Sequence, residues 1–286
     1  MLTILFDGLA YGMILFVLAC GLAVTLGLMN FVNLAHGAFA MAGGYITVLL
    51  MSRASVPFLL CLPIAFAITA LIGLLLERTL YVWLYSRPHL DHVLFTIGLV
   101  FMSIAAVDYT MGAQQQIIRL PVFLQGRLEV LGVSIGVYRL FVILVCGVLV
   151  VVLQSILVFT RFGSRLRAAV DDQRVARGLG IDVDAVFAIT FAAGSGLAGL
   201  GGALGAEILG LDPTFPLKFM IYFLIVVTVG GTTSITGPFL AAILLGVADV
   251  AGKYYVPELG AFVIYALMVL VLLWRPHGLF TRRGAR

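Results

Sequence analysis

The chain has 286 residues, of which 63% are hydrophobic and 10% are charged, and its mean hydropathy is +1.18. Because soluble domains carry about 25% charged residues, this composition excludes an ordinary soluble domain and indicates a membrane protein. The formal net charge is +4, from 17 basic and 13 acidic side chains. So small an excess predicts orientation in a bilayer and does not predict nucleic-acid binding.

Apolar runs of membrane-spanning length follow one another along the chain. A span needs about 20 mostly apolar residues. About nine candidates occur, with eight or ten also compatible with the pattern: 5–28, 33–51, 57–76, 92–111, 138–159, 185–209, 217–229, 238–251 and 259–274. The two short ones, 217–229 and 238–251, are typical of half-helices that do not cross fully. The sequence therefore predicts an all-α polytopic membrane protein of 8 to 10 transmembrane helices.

The stretch LMNFVNLAHGAFAMAGGY, residues 28–45, brings polar groups into the apolar pattern. Its polar side chains recur every three residues, which predicts one shared helix face: Asn30, Asn33 and His36. Glycines that favour close packing or a helix break follow: Gly37, Gly43 and Gly44. Polar groups at membrane depth need partners or a water-filled cavity. Two interpretations stay open, caps at a helix junction or part of a pathway wall.

Residues 112–137 alternate apolar positions with glycine and proline breaks, which predicts a small extended excursion at the outer surface. Two acidic residues within the apolar runs, Asp108 and Asp249, lie near the ends of their predicted spans. An interfacial or helix-pairing role is therefore favoured for them over a proton relay.

A polar island, residues 161–184, interrupts the apolar pattern with five arginines and four aspartates. Gly163–Ser164 predicts the cap of a helix over 165–170. Asp171–Asp172 predicts the start of a second helix, 171–179, which ends at Gly180. The paired caps indicate an ordered knob that docks a soluble partner. A solvated loop whose arginines only fix topology is the alternative.

Small residues four apart favour tight helix packing in the next apolar run: Gly194, Ala198, Gly202 and Ala206. The glycine-rich turn 230–238 follows, with Gly230, Gly231 and Ser234 as candidate helix-break residues. It lacks the Gly-Lys-Ser/Thr ending of a phosphate loop, so it does not predict ATP binding. The sequence also contains no HExxH, GxSxG or histidine–cysteine cluster, so no enzyme or metal-cofactor motif is present.

Basic residues predict the orientation. With nine crossings, one side holds eleven of the 17 basic residues: Arg78, Arg87, the five arginines of the island, Arg275, Arg282, Arg283 and Arg286. The other side holds the remaining six. The sequence therefore predicts the N-terminus outside and the C-terminus in the cytoplasm.

Three stretches together resemble the permease subunits of branched-chain amino acid ABC importers, the shorter of the two paired permease types. They are GLAYGMILFVLACGLAVTLGLMNFVNLAHGAFAMAGGY, SRLRAAVDDQRVARGLGIDV and VGGTTSITGPFLAAILLG. The resemblance covers nearly the whole chain, and Asn33, Ala35 and Gly37 are its most specific element. Thr232–Thr233 stand where the family's GGxGS pattern has a glycine.

The resemblance implies one ABC importer transmembrane domain over residues 1–286, in a bacterial inner membrane, with the island as its coupling loop. It implies a coupling helix whose contact residues are Asp171, Asp172, Gln173, Arg174, Arg177, Leu179 and Gly180. The implied partners are a second homologous permease, two ABC ATPase subunits, a periplasmic substrate-binding protein and the lipid bilayer. ATP hydrolysis belongs to the ATPases, so the chain is expected to be non-catalytic and to need no cofactor.

Other functions stay open at this point. The same kind of importer serves urea, short amides or aromatic acids in related permeases. An ion-driven secondary transporter predicts buried carboxylates near the midplane, whereas the acidic candidates lie near span ends. An intramembrane enzyme predicts a nucleophile and a base at depth, and His36 has no evident partner of that kind.

Overall fold

The computed structural model describes residues 1–29, 33–84, 87–130, 133–231, 235–275 and 278–279. The fold is all-α, as predicted. The helices of the described residues are α1 (Leu2–Met29), α2 (His36–Arg53), α3 (Phe58–Leu76), α4 (His89–Met111), α5 (Val137–Phe159), α6 (Arg161–Asp171), α7 (Gln173–Gly178), α8 (Val183–Leu209), α9 (Phe215–Gly230), α10 (Thr236–Tyr255) and α11 (Gly260–Trp274). The strands β1 (Arg127–Val130) and β2 (Val133–Gly136) form an antiparallel hairpin.

Every predicted apolar segment coincides with a helix. Six helices within the described residues are long and apolar enough to cross a membrane: α1, α3 with its extension, α4, α5, α8 and α10. The helices α9 and α11 are apolar but shorter, and α2 carries a histidine at its start and an arginine at its end.

The two segments around the glycine-rich turn differ in length. The prediction of a short segment is right for α9, which has 16 residues. It is wrong for 238–251, because α10 runs for 20 residues and is long enough to span. The polar residues near the predicted end of this segment lie within the helix, where Lys253 Nζ is 2.5 Å from Asp249 Oδ2. Asp249 is buried and lies six residues before the last residue of α10, Tyr255, so its predicted place near a span end was only partly right.

The third helix is longer than the sequence predicted. It continues beyond Leu76 as a π-helix, Glu77–Tyr81, and a last turn, Val82–Leu84. Glu77 and Tyr81 are both buried, so the polar residues face the protein and do not mark a helix end. Arg78, which follows the predicted span 57–76 and was expected in the loop after it, therefore lies within the helix.

The helix α8 lies at the centre of the molecule, in contact with α1, α2 and α3. Small residues permit this close approach. A Cβ on Gly194 would lie 3.1 Å from the Cα of Gly21 in α1, and a Cβ on Gly202 would collide with the backbone of Ala40 in α2. A Cβ on Gly199 would collide with Thr69 in α3. The predicted small-residue packing face is confirmed.

The helices α4 and α5 lie at the periphery. Only 17% of the apolar stretch of α4 and 11% of that of α5 is buried inside the protein. Large aliphatic side chains such as Leu144, Val148 and Val151 are exposed at helical spacing on α5. Such a face needs lipid or another apolar helix against it.

A cap of extended chain lies where α4 ends and α5 begins, as the sequence predicted for residues 112–137. It contains the β1–β2 hairpin and a bridge in which Gln116 N donates to Leu211 O at 2.7 Å. The segment after α8 is held by Asp212, which accepts from Thr214 N at 2.9 Å and pairs with Lys218. Burial alone would raise the pKa of Asp212, but the hydrogen bonds from Lys218 and Thr214 outweigh it and lower the pKa below its ordinary value.

Candidate functional site

The polar island folds into α6 and α7, joined at Asp172. The helix α6 begins earlier than predicted, at Arg161, and its N-cap is Thr160, whose Oγ1 accepts from Gly163 N at 3.2 Å. The predicted Gly163–Ser164 cap is therefore wrong. Gly163 serves a close approach instead, because a Cβ there would collide with the backbone of Leu157.

The caps of α7 match the prediction more closely. Asp172 Oδ1 accepts from Arg174 N at 2.8 Å and from Val175 N at 3.0 Å, which satisfies two of the free amides at the helix start. Gly180 has a φ of +82°, the left-handed conformation expected after a helix end. Asp171 is the last residue of α6 and does not belong to α7. Capping interactions between residues close in sequence therefore order α7.

The solvent-exposed side of α7 combines arginine with exposed aliphatic side chains. Val175 is 57% exposed and Leu179 is 75% exposed, and they lie four residues apart on one side of the helix. Ala176 is buried and fixes the opposite side. The remaining residues predicted for this site are exposed: Asp171, Asp172, Gln173, Arg174, Arg177 and Gly180. A small helix that exposes aliphatic side chains beside charge suits a protein partner.

Arg177 already has a partner within the chain. Its Nη2 lies 2.8 Å from Asp184 Oδ1 at the start of α8, and both side chains are exposed. This pair braces α7 against the central helix, while Arg174 has no ion pair within the described residues. Arg174 is therefore the arginine of α7 that is available to another protein.

Asn33 and His36 do not share a helix face, contrary to prediction. Asn33 precedes α2, which begins at His36, and Asn30 lies outside the described residues. Neither residue caps the helix. Instead, Asn33 is fully buried and its Oδ1 accepts from Tyr81 Oη at 3.1 Å. The segment before α2 is thus tied to the π-helix of α3.

His36 is buried where α1, α2 and α8 meet. A Cβ on Gly21 of α1 would collide with its ring and with the carbonyl oxygen of Gly194 in α8. Phe39 lies edge-on to the imidazole, with ring centroids 6.3 Å apart. The ring therefore fills the space that the missing side chain of Gly21 leaves.

The glycines of α2 are packing residues and do not break the helix, which continues from His36 to Arg53. A Cβ on Gly37 would meet Pro216, and one on Gly43 would meet the backbone of Gly199. A Cβ on Gly44 would meet Leu211. Gly230 ends α9, and Gly231 follows with a φ of +86°, so this pair does break the chain direction. Ser234 lies outside the described residues.

The sequence reasoning missed Glu77 and Tyr81. Glu77 is 1% exposed, within a helix that runs to Leu84, and Arg78 Nε lies 3.7 Å from its carboxylate. The sequence feature that could have identified Glu77 is an acidic residue directly after an unbroken apolar run. A π-helix often marks a functional position in a long helix.

Comparison with known proteins identifies the family. The family model of the branched-chain amino acid transport system permease component matches residues 4–272. The chain belongs to this family. The permease is 28% identical to the high-affinity branched-chain amino acid transport system permease protein BraD of Pseudomonas aeruginosa, over 97% of this chain and 95% of that protein. It is 27% identical to the permease protein LivH of Salmonella typhimurium, over 97% and 94% of the two chains.

A second type of relative is also similar to the permease. The permease protein LivM of the same transport system in Salmonella typhimurium is 27% identical over 93% of this chain and 68% of its own length. Two differently named permease proteins of Salmonella typhimurium, LivH and LivM, are thus both similar to this chain. No solved structure matches the chain. With its apolar helices, the permease is a multi-pass membrane protein.

Proposed function

We propose that the permease is the transmembrane subunit of an ATP-driven importer that moves branched-chain or related amino acids across the bacterial inner membrane. Its partners would be a second, homologous permease, two ABC ATPase subunits and a periplasmic substrate-binding protein. The permease would not be catalytic itself, and the ATPases would hydrolyse ATP. A substrate such as urea, a short amide or an aromatic acid is the alternative within the same machine.

The observation that carries this proposal is the surface of α7. A capped helix outside the apolar helices exposes Val175 and Leu179 beside Arg174. This surface has the size and chemistry to enter a groove of an ATPase subunit, with the aliphatic pair buried and the arginine facing an acidic side chain. Closure of two ATPases on ATP would then move α7, and through the Arg177–Asp184 pair would move α8.

The orientation follows from charge. By the count of basic residues in the sequence, the side that holds the polar island has the majority, so α6 and α7 would face the cytoplasm, with the N-terminus outside. The pathway would run beside the buried polar contact between Asn33 and Tyr81, since polar groups at membrane depth concentrate along solute routes.

An ion-driven secondary transporter is a weaker alternative than the ATP-driven importer. It requires carboxylates buried in the spans, and the buried Glu77 and Asp249 revise the expectation that the acidic residues lie only near span ends. Each, however, has a basic neighbour, Arg78 at 3.7 Å and Lys253 at 2.5 Å. Removing either partner of such a pair would leave a buried charge uncompensated, so these pairs favour a structural role over ion coupling.

The proposal is tested by copurification and transport of α7 variants. Arg174→Glu and Leu179→Asp should each lower the amount of ATPase that copurifies by roughly tenfold or more, since reversing a charge or burying a carboxylate at an interface costs a few kcal/mol. Arg53→Glu, an exposed arginine at the far end of α2, is the matched control and should behave as the unmodified permease. Full copurification and leucine import in both α7 variants would contradict the proposal.

A further inference from the structure

A cavity of about 590 Å³ lies beneath the extended cap, at the end of the molecule opposite α7. The helix α8 starts beside the polar island and has 27 residues, about 40 Å of helix, before it reaches this cavity with Glu207. The volume falls within the range of small-molecule sites. Neither α7 nor the contact between Asn33 and Tyr81 is part of it.

The walls of this cavity are fixed by hydrogen bonds. Tyr138 Oη donates to Leu204 O at 2.6 Å, which joins the start of α5 to the end of α8. Val137 N donates to Gly126 O at 3.0 Å, and the Gln116–Leu211 bridge closes the cap over the end of α8. The lining side chains are therefore presented by a framework and not by a free loop.

The cavity is lined by three arginines, and one of them is neutralised. Arg139 pairs with Asp7 at the start of α1. Arg119 and Arg127 make no ion pair with any carboxylate of the described residues, and Glu207, which also lines the cavity, makes none with a cation of that same set. Two cations and one carboxylate thus face one space without partners of their own.

Part of the wall is aliphatic, and Gln125 and Tyr138 also line the cavity. Ile118 and Leu124 are buried, and Leu120 and Ile208 lie beside them. A carboxylate would suit the two guanidinium groups, an ammonium group would suit Glu207, and a branched hydrocarbon chain would suit this wall. A ligand with these three parts is an aliphatic α-amino acid in its zwitterionic form.

We infer that the permease itself holds an aliphatic amino acid in this cavity, with the carboxylate on Arg119 and Arg127 and the ammonium group on Glu207. This inference rests on the proposed function and adds to it a site on the permease. The solute would pause there before it enters the membrane. An alternative occupant, an acidic side chain of a soluble partner protein, would use the arginines but leave Glu207 without a role.

The test is equilibrium binding to the full-length permease in lipid nanodiscs, with its copurified subunits and without soluble binding protein. Radiolabelled L-leucine should bind saturably, with a dissociation constant of roughly millimolar order, as expected for an open site with few charged contacts. 4-Methylpentanoate, which lacks the ammonium group, and 3-methylbutylamine, which lacks the carboxylate, should each bind at least about tenfold more weakly. Equal binding of leucine and either analogue would overturn the inference without any variant.

Site variants add a second test. Arg119→Gln, Arg127→Gln and Glu207→Gln should each weaken leucine binding by about tenfold or more. The controls are Arg53→Gln and Glu129→Gln, which remove exposed charges that do not line the cavity and should leave binding unchanged. Unchanged leucine binding in the site variants would overturn the inference. Variants that bind leucine normally but no longer retain a soluble binding protein would also overturn it, in favour of the partner protein as the occupant.

Failure of the inference and failure of the proposed function give different results. If the complete system imports leucine but the permease shows no saturable binding of its own, the cavity is not an amino acid site and the importer function stands. If leucine binds as expected but no ATP-dependent import occurs, the importer function falls and the site stands.

Discussion

Two helical glycines of the permease differ in how closely other residues approach them. A Cβ on Gly43 would collide with the backbone of Gly199, where α2 crosses α8, whereas a Cβ on Gly147 of α5 would meet nothing within 4 Å. Backbone atoms cannot move aside as a flexible side chain can. We therefore expect Gly43→Ala to destabilise the permease by about 1–3 kcal/mol, the usual effect of over-packing a core.

Gly147→Ala is the matched control for that change. It adds the same methyl group to a helix without a clash, so it should be neutral or stabilise the permease by up to about 1 kcal/mol through helix propensity. The unfolding midpoint of both purified variants in the same detergent measures the difference. Equal midpoints would contradict the close α2–α8 contact.

The sequence predicted which residues would be unusual but not what each one touches. Asn33 was identified from its polarity within an apolar run, yet its partner Tyr81 lies 48 positions away on another helix. No local pattern encodes such a contact. Glu77 was missed for the same reason, since only its burial against other helices distinguishes it from a residue at a helix end.

At the scale of one element, the stability of α7 depends on its cap. Asp171 and Asp172 are adjacent, but only Asp172 accepts the amides of Arg174 and Val175. Asp172→Ala should destabilise this six-residue helix by about 1 kcal/mol, and ATPase copurification should fall several-fold. Asp171→Ala removes no capping hydrogen bond and should leave the stability of this helix unchanged. The two variants, compared by copurification and by hydrogen exchange of residues 173–180, separate the cap from the loss of one negative charge.

Helices were predicted where local chemistry decides them. The apolar runs gave the positions of the membrane helices, and Asp172 with Gly180 marked α7, because capping is a contact between near neighbours in the chain. Helix ends were missed where tertiary contacts extend a helix through polar residues. The extension of α3 to Leu84 and of α10 to Tyr255 are the two examples.

For the whole molecule, the two ends of α8 have different chemistry. One end meets the exposed surface of α7. The other meets a cavity lined by Arg119, Arg127 and Glu207, which form no ion pair among the residues that the structure describes. Between them, glycines bring the backbone of α8 into close contact with α1 and α2. Under the proposed function, a displacement of α7 would therefore act on a closely packed central helix and not on an isolated linker.

The orientation of the whole molecule is testable by labelling, because the native cysteines are buried: Cys20, Cys61 and Cys146. A new cysteine at exposed Gln114 marks the cap, and one at exposed Ser164 marks α6, which adjoins α7 but is not among the predicted ATPase contacts. In spheroplasts, a membrane-impermeant maleimide should label Gln114→Cys at once and Ser164→Cys only after permeabilisation, and the unmodified permease should stay unlabelled throughout. The reverse pattern would place α7 outside the cell, beyond the reach of any ATPase, and would refute both the orientation and the coupling role.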